Sequence, residues 1–240
     1  MSDFPPHDPT LPDAVLWDMD GTIVDTEPYW MASETPLVAR FGGTWTHEQA
    51  LRLVGLGLWD AATILQEAGV QLGPDEIVTE LTDAVIARLR ADGVPFRPGA
   101  LELLRALFSE GTPQALVTMS IRRMALEIDA LIEGSEFATI VAGDDVDRPK
   151  PFPDPYELAA ARLGVDVRRC VAIEDSPNGV RSAVAAGCFV VGVPHFVSLD
   201  GEGADVLVAS LADLSPARLS ALFSARLGAD DAGVSKVEAR

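Results

Sequence analysis

Short apolar runs recur along the chain, each closed by small or polar residues. The first, AVLWD at 14–18, ends in Asp-Met-Asp-Gly. Others stand at 114–119 (QALVTM), 137–143 (FATIVAG), 169–175 (RCVAIED), 189–193 (FVVGV) and 204–210 (ADVLVAS). Runs of this length, bounded by turn residues, predict buried strands. Helical patterns fill the gaps. Residues 97–108 carry Pro98 near their start and leucines at 101, 104 and 107. Further helices are predicted at 121–132, 154–163 and 177–187. Strands alternating with helices imply an α/β fold with a parallel, doubly wound sheet.

The stretch between the first two strands breaks this rhythm. Residues 28–97 give no strand pattern but four helical ones, near 29–41, 46–54, 58–68 and 75–92. In the last, Ile77, Leu81, Val85 and Leu89 recur every four residues and define one apolar face. A crossover needs far fewer residues than this. An inserted α-helical cap over 28–97 is therefore expected, with the core formed by 1–27 and 98–240. It leaves the sheet at the edge where open α/β sheets bind ligands, so it should act as a lid. Residues 1–12 are polar and Pro-rich and read as frayed, and a flexible tail is expected from about Gly228.

Composition narrows the function. The 240 residues carry 37 acidic and 18 basic side chains, a formal charge of −19. Such a chain repels nucleic-acid backbones and anionic membrane surfaces. No apolar run is long enough to span a bilayer. The first residues lack a basic end and an apolar stretch, so no secretory signal is read there. Cys170 and Cys188 make no disulfide framework and read as inert core residues in a cytoplasmic, monomeric protein. His7, His47 and His195 have no zinc-ligand spacing. Only two lysines, Lys150 and Lys236, stand against sixteen arginines.

Candidate chemistry gathers at strand ends. Asp18 and Asp20 follow the first strand and Thr118 the second. Lys150 lies in the loop after the third, and Glu174-Asp175 close the fourth. Parallel strands bring these ends to one edge. So many carboxylates in one crevice need a cation, and hard oxygen ligands favour Mg²⁺. Taken singly, each residue is ordinary: a turn aspartate, a strand-end threonine, a loop lysine, acids at a helix start.

Together, DMDGTIVDTEP, Thr118, Lys150 and Glu174-Asp175 resemble the four ordered motifs of the haloacid dehalogenase-like superfamily. The helical insertion is similar to its α-helical cap subgroup, which includes β-phosphoglucomutase-like and phosphoglycolate phosphatase-like enzymes. The likeness covers about residues 14–193 and implies a Rossmannoid core. It further implies a Mg²⁺-dependent phosphomonoesterase acting on a small phosphorylated metabolite, a sugar phosphate or phosphoglycolate-like. In that reading Asp18 is the nucleophile and forms an aspartyl-phosphate. Asp20 is the general acid and base. Lys150 screens phosphate and orients Asp18, while the Thr118 hydroxyl and Met119 backbone N–H bind phosphoryl oxygens. Mg²⁺ is held by Asp18, the Asp20 carbonyl and Asp175, with Glu174 acting through water. Ser176-Pro177 reads as an N-cap followed by proline at the first helical position.

The alternative is a sugar phosphomutase. Those enzymes carry a histidine twelve residues after the nucleophile, where Trp30 stands, and a cap arginine near the place of Leu58. The loop 54–59 is apolar, with Arg52 as a weak substitute, so hydrolysis is favoured over isomerisation. A dehalogenase is disfavoured by Asp20, and a phosphoacceptor receiver domain by residues 28–97. Trp17 and Trp59 read as packing residues, with Trp59 a lesser candidate for facing substrate. Arg122 and Arg123 read as surface or helix-face charges, with one of them a lesser candidate for reaching phosphate.

Overall fold

In the computed structural model, described over residues 11–132 and 137–234, the fold is α/β. Side chains beyond Leu227 and Gly228 are not described. The expected fraying of 1–12 lies almost wholly outside the described residues. Six parallel strands form one sheet in the order β3-β2-β1-β4-β5-β6. They are β1 (Ala14–Trp17), β2 (Gln114–Val117), β3 (Thr139–Val141), β4 (Cys170–Glu174), β5 (Phe189–Gly192) and β6 (Val206–Leu207). The order reverses beside β1, whose two neighbours are β2 and β4, in register Leu16 with Ala115 and Ala172. That reversal opens a crevice beyond the strand ends, where doubly wound folds bind ligands.

The sheet is buried on both faces, so its strands are continuously apolar rather than alternating. Alternate β1 residues enter opposite layers. Val15 and Trp17 join one core with α5 (Ala100–Ser109), α6 (Arg122–Leu131) and α9 (Pro216–Val234). Ala14 and Leu16 join the other with α7 (Asp154–Leu163) and α8 (Pro177–Ala186). Trp17 is a packing residue as expected; its indole N–H donates to Gln114 Oε1 at 2.9 Å, which satisfies both buried groups.

Four helices lie between β1 and β2: α1 (Glu27–Arg40), α2 (His47–Leu51), α3 (Leu58–Glu67) and α4 (Pro74–Asp92). Ile77, Leu81, Val85 and Leu89 of α4 are all buried, as their spacing predicts. Both chain passages between these helices and the core run side by side. Asp25 N donates to Pro95 O and Arg97 N to Ile23 O, each at 2.8 Å, with an antiparallel bridge between Val24 and Phe96.

Three expectations need correction. The helix expected at 97–108 begins at Ala100, because Gly99 is left-handed (φ +86) and a Cβ there would sit 2.1 Å from Ala212 N. The strand expected at 204–210 contracts to Val206–Leu207. The tail expected from Gly228 continues instead as α9 through Val234. That helix is anchored upstream by buried Leu219 and by Phe223, which packs edge-on against Phe189 with ring centroids 6.0 Å apart.

Candidate active site

The strand ends converge as the sequence implies. Asp18 follows β1 directly, and Glu174 and Asp175 stand at and just beyond the end of β4, which pairs with β1. One carboxylate oxygen from each of Asp18, Glu174 and Asp175 lies within 4.8 Å of the others. Lys150 enters from the loop after β3. Its ammonium donates to Asp18 Oδ1 (2.7 Å), Glu174 Oε1 (2.6 Å) and Val117 O (2.9 Å), which uses all three protons.

Three buried carboxylates beside one ammonium leave an excess of negative charge. Burial, followed by the Glu174 charge, pushes Asp18 up to about 7 against the pull of Lys150. Burial and the Asp18 and Glu174 charges raise Asp175 well above the usual carboxylate range. Burial alone would lower Lys150, but Asp18 and Glu174 outweigh it and hold the ammonium firmly charged. Asp18 Oδ2 is buried without a hydrogen-bond partner among the described residues. An all-oxygen cluster with a bare carboxylate oxygen fits a hard divalent cation.

The backbone around the cluster is cut to its shape. Gly21 has φ +88, and a Cβ there would fall 2.0 Å from Asp175 Oδ2. A Cβ on Gly179 would fall 1.9 Å from Glu174 Oε1. Ser176 caps α8, accepting from Gly179 N at 3.1 Å, with Pro177 next, as expected. The Glu174 carboxylate also accepts from the Tyr156 hydroxyl (2.7 Å) and the Ser176 hydroxyl (3.2 Å).

Asp20 sits apart from this cluster in a ring of donors. Thr26 donates to Oδ1, and Trp30 Nε1 approaches the same oxygen at 3.5 Å. Oδ2 accepts from Thr118 (3.2 Å) and Ser120 (2.8 Å). Thr118 Oγ1 in turn accepts from Ser120 N at 3.0 Å. Thr118 and Met119 both line the cleft, and the Met119 sulfur accepts from Lys150 N at 3.2 Å.

The cleft encloses about 740 Å³, counting solvent at its mouth. Asp18, Asp20, Lys150 and Ser176 form its floor, and the roof comes from α1 (Glu27, Trp30 and Glu34), the loop between α2 and α3 (Leu53 and Leu56), α3 (Leu58) and α4 (Val78 and Leu81). Trp59 lines a neighbouring cleft, where its indole donates to Asp75, and Arg52 is exposed and does not line the roof. Arg122 pairs with Asp145 and Arg123 with Asp83, so neither is aimed at the floor. Sequence reasoning missed Thr26, Ser120, Tyr156, Glu27 and Glu34. Glu27, Trp30 and Glu34 stand at helical spacing, i, i+3 and i+7, which is the signal that one face of α1 looks into the cleft.

A family model described as haloacid dehalogenase-like hydrolase matches residues 15–193. Hexitol phosphatase A of Escherichia coli is 34% identical over 186 residues, covering 74% of this chain and 81% of that protein. The bifunctional riboflavin kinase/FMN phosphatase of Arabidopsis thaliana is 32% identical over 209 residues, or 85% of this chain; the chain spans only about half of that protein, 55%. A crystal structure of a CbbY variant from Rhodobacter sphaeroides in complex with xylulose-(1,5)bisphosphate is similar with a TM-score of 0.75 at 27% identity, covering 85% of this chain and 96% of that one. The matched segment runs from β1 through β5 and takes in every floor residue of the cleft. On that extent of agreement, the chain belongs to the haloacid dehalogenase-like hydrolase family.

Proposed function

We propose that this hydrolase is a Mg²⁺-dependent phosphomonoesterase of small phosphorylated metabolites, working through an aspartyl-phosphate on Asp18. The observation that carries the reading is the division of labour between the two aspartates. Asp18 lies in the carboxylate cluster with Oδ1 fixed by Lys150 and Oδ2 without a donor among the described residues, as a nucleophile and metal ligand requires. Asp20 lies outside the cluster among hydroxyls. The phosphatase names of the relatives support the same class of reaction.

Asp18, Asp175 and the Asp20 carbonyl oxygen would hold the cation, with Glu174 acting through water. When bound, Mg²⁺ supplies positive charge that lets an anionic carboxylate approach an anionic phosphoryl group. An Asp18 oxygen forms the new bond to phosphorus as the bond to the leaving oxygen breaks. Asp20 gives that oxygen a proton, then takes one from the water that attacks phosphorus, as the bond from Asp18 to phosphorus breaks, restoring the carboxylate and releasing inorganic phosphate. Ser and Thr hydroxyls can donate or accept. Thr26, Thr118 and Ser120 can therefore follow Asp20 through its two protonation states without moving heavy atoms. Lys150 keeps the nucleophile oriented, and Thr118 and Met119 stand where phosphoryl oxygens would be received.

Residues 28–97 serve as the cap, closing the roof over the reacting group and excluding water. Among the described residues no helix is long and apolar enough to cross a membrane, and the free, buried Cys170 and Cys188 suit a reducing, cytoplasmic setting.

Phosphate release from a panel of sugar and polyol phosphates tests the reading. We expect release with Mg²⁺, none in EDTA, and none from Asp18→Asn that retains its fold by circular dichroism. Isomer formation without phosphate release would assign a phosphomutase instead.

A further inference from the structure

The two ends of the cleft differ in charge. Among the described lining residues, Lys150 is the only cation, and Asp18 and Glu174 already occupy its protons. The roof carries two carboxyls, Glu27 and Glu34, in an otherwise apolar wall. Glu34 is only 4% exposed, yet it faces the cleft rather than a cation. Its Oε2 accepts from Trp45 Nε1 at 2.8 Å, which fixes the carboxyl in one orientation. Trp45 fills only part of the acceptor capacity of this carboxyl, and the side chain lines the cleft, where donors brought by a ligand can reach the rest.

On the phosphomonoesterase reading, we infer that Glu34, oriented by Trp45, selects the leaving group: an uncharged polyol bearing a single phosphate. Hydroxyls of such a body donate to the roof carboxyls while its carbon backbone lies against Leu56, Leu58 and Leu81. A second phosphate or a carboxylate would meet two acids and no cation. Selection thus works in both directions, attraction of donors and rejection of anions. Burial pushes the Glu34 carboxyl up to about 7, and burial with the Asp20 and Glu34 charges pushes Glu27 up to about 8, so the rejection of anions belongs to the alkaline side, where Glu34 is ionised. Phosphoglycolate, one of the substrates the motif resemblance allows, falls on the rejected side.

Sorbitol 6-phosphate, phosphoglycolate and fructose 1,6-bisphosphate, assayed for phosphate release at saturating Mg²⁺ and pH 8, test the inference. We expect kcat/KM for sorbitol 6-phosphate to exceed that for either competitor by at least ~10-fold, the scale on which unpaired polar groups discriminate. Glu34→Gln keeps the shape but removes the charge. It should raise KM for sorbitol 6-phosphate by about tenfold at nearly unchanged kcat, and narrow its lead over the anionic substrates. Trp45→Phe, which frees the carboxyl without removing it, should raise the same KM, so the inference stays testable if Glu34→Gln misfolds. A wild-type preference for either competitor would overturn the inference while leaving the phosphatase reading intact. So would a Glu34→Gln enzyme with unchanged ratios. Phosphate release from none of the three would overturn both.

Discussion

Replacing Lys150 with methionine keeps most of the side-chain volume and removes one charge. The ammonium is 2% exposed and its three protons go to Asp18, Glu174 and Val117. Its loss leaves the carboxylates of Asp18 and Glu174 buried beside Asp175 with no cation. Breaking a buried ion pair in this one-sided way costs about 3–5 kcal/mol. A buried carboxyl can escape part of that cost by taking up a proton. Asp18 is already raised to about 7 with Lys150 in place, so at pH 5 its carboxyl is largely protonated in both proteins, whereas at pH 7 only the wild type still draws on an ionised Asp18 paired with Lys150. The deficit should therefore be larger at pH 7 than at pH 5. For a domain of this size, 3–5 kcal/mol lowers Tm by about 6–20 °C. The assay is thermal and urea unfolding of both proteins in EDTA at the two pH values. A fall below ~2 °C at pH 7, or a deficit equal at both pH values, would refute the argument that Lys150 is the charge that keeps this cluster folded.

Other outcomes follow from the same geometry. In EDTA, wild-type stability should decrease as pH rises from 5 to 8. Glu34 folds with its carboxyl raised to about 7 against an ordinary 4.5, so the folded state holds the proton longer than the unfolded state and loses that advantage as pH climbs. The slope from this one group reaches at most ~1.4 kcal/mol per pH unit, and urea titrations on Glu34→Gln should be measurably flatter. Gly21→Ala strains a φ of +88 and drives a methyl into Asp175. We expect ~1–3 kcal/mol of lost stability and at least ~10-fold lower phosphatase activity at saturating Mg²⁺; normal turnover would refute the tight fit. Asp20→Asn should slow hydrolysis of an alkyl phosphate by about 10²–10⁴ but p-nitrophenyl phosphate far less in the first step, because nitrophenolate leaves without a proton. Equal losses on both substrates would argue against Asp20 as the acid.

The floor of the site was legible because its residues sit where strand pattern and turn chemistry coincide. Asp18, Thr118, Glu174 and Asp175 each follow or end an apolar run, and parallel pairing then fixes them on one edge. Lys150 was legible through scarcity and motif order, since nothing local marks a loop lysine as buried. The donors around Asp20 were not. Ser120 follows Met119 directly and Thr26 lies within the first motif, yet nothing in their spacing says that their hydroxyls turn toward Asp20. Tyr156 reaches Glu174 from α7, a contact no spacing rule encodes. Glu27 and Glu34 could have been read from helical phase, but a charged residue on a helix usually marks the solvent side, and the roof inverts that expectation. The helix α9 was missed as well; it is anchored by buried Leu219 and Phe223.

The neck beside Val24 and Phe96 bears on how such a protein can change. The two chain passages flanking these helices meet as neighbouring hydrogen-bonded segments, with Arg97 N on Ile23 O. Because entry and exit coincide, the insertion can lengthen, shorten or be rewritten without shifting the register of β1 against β2 and β4. The clustered carboxylates keep their positions while the roof is exchanged. Chemistry and selectivity are then inherited as separable parts, and a chimaera joined at this neck should keep one parent's reaction while taking the other's preference.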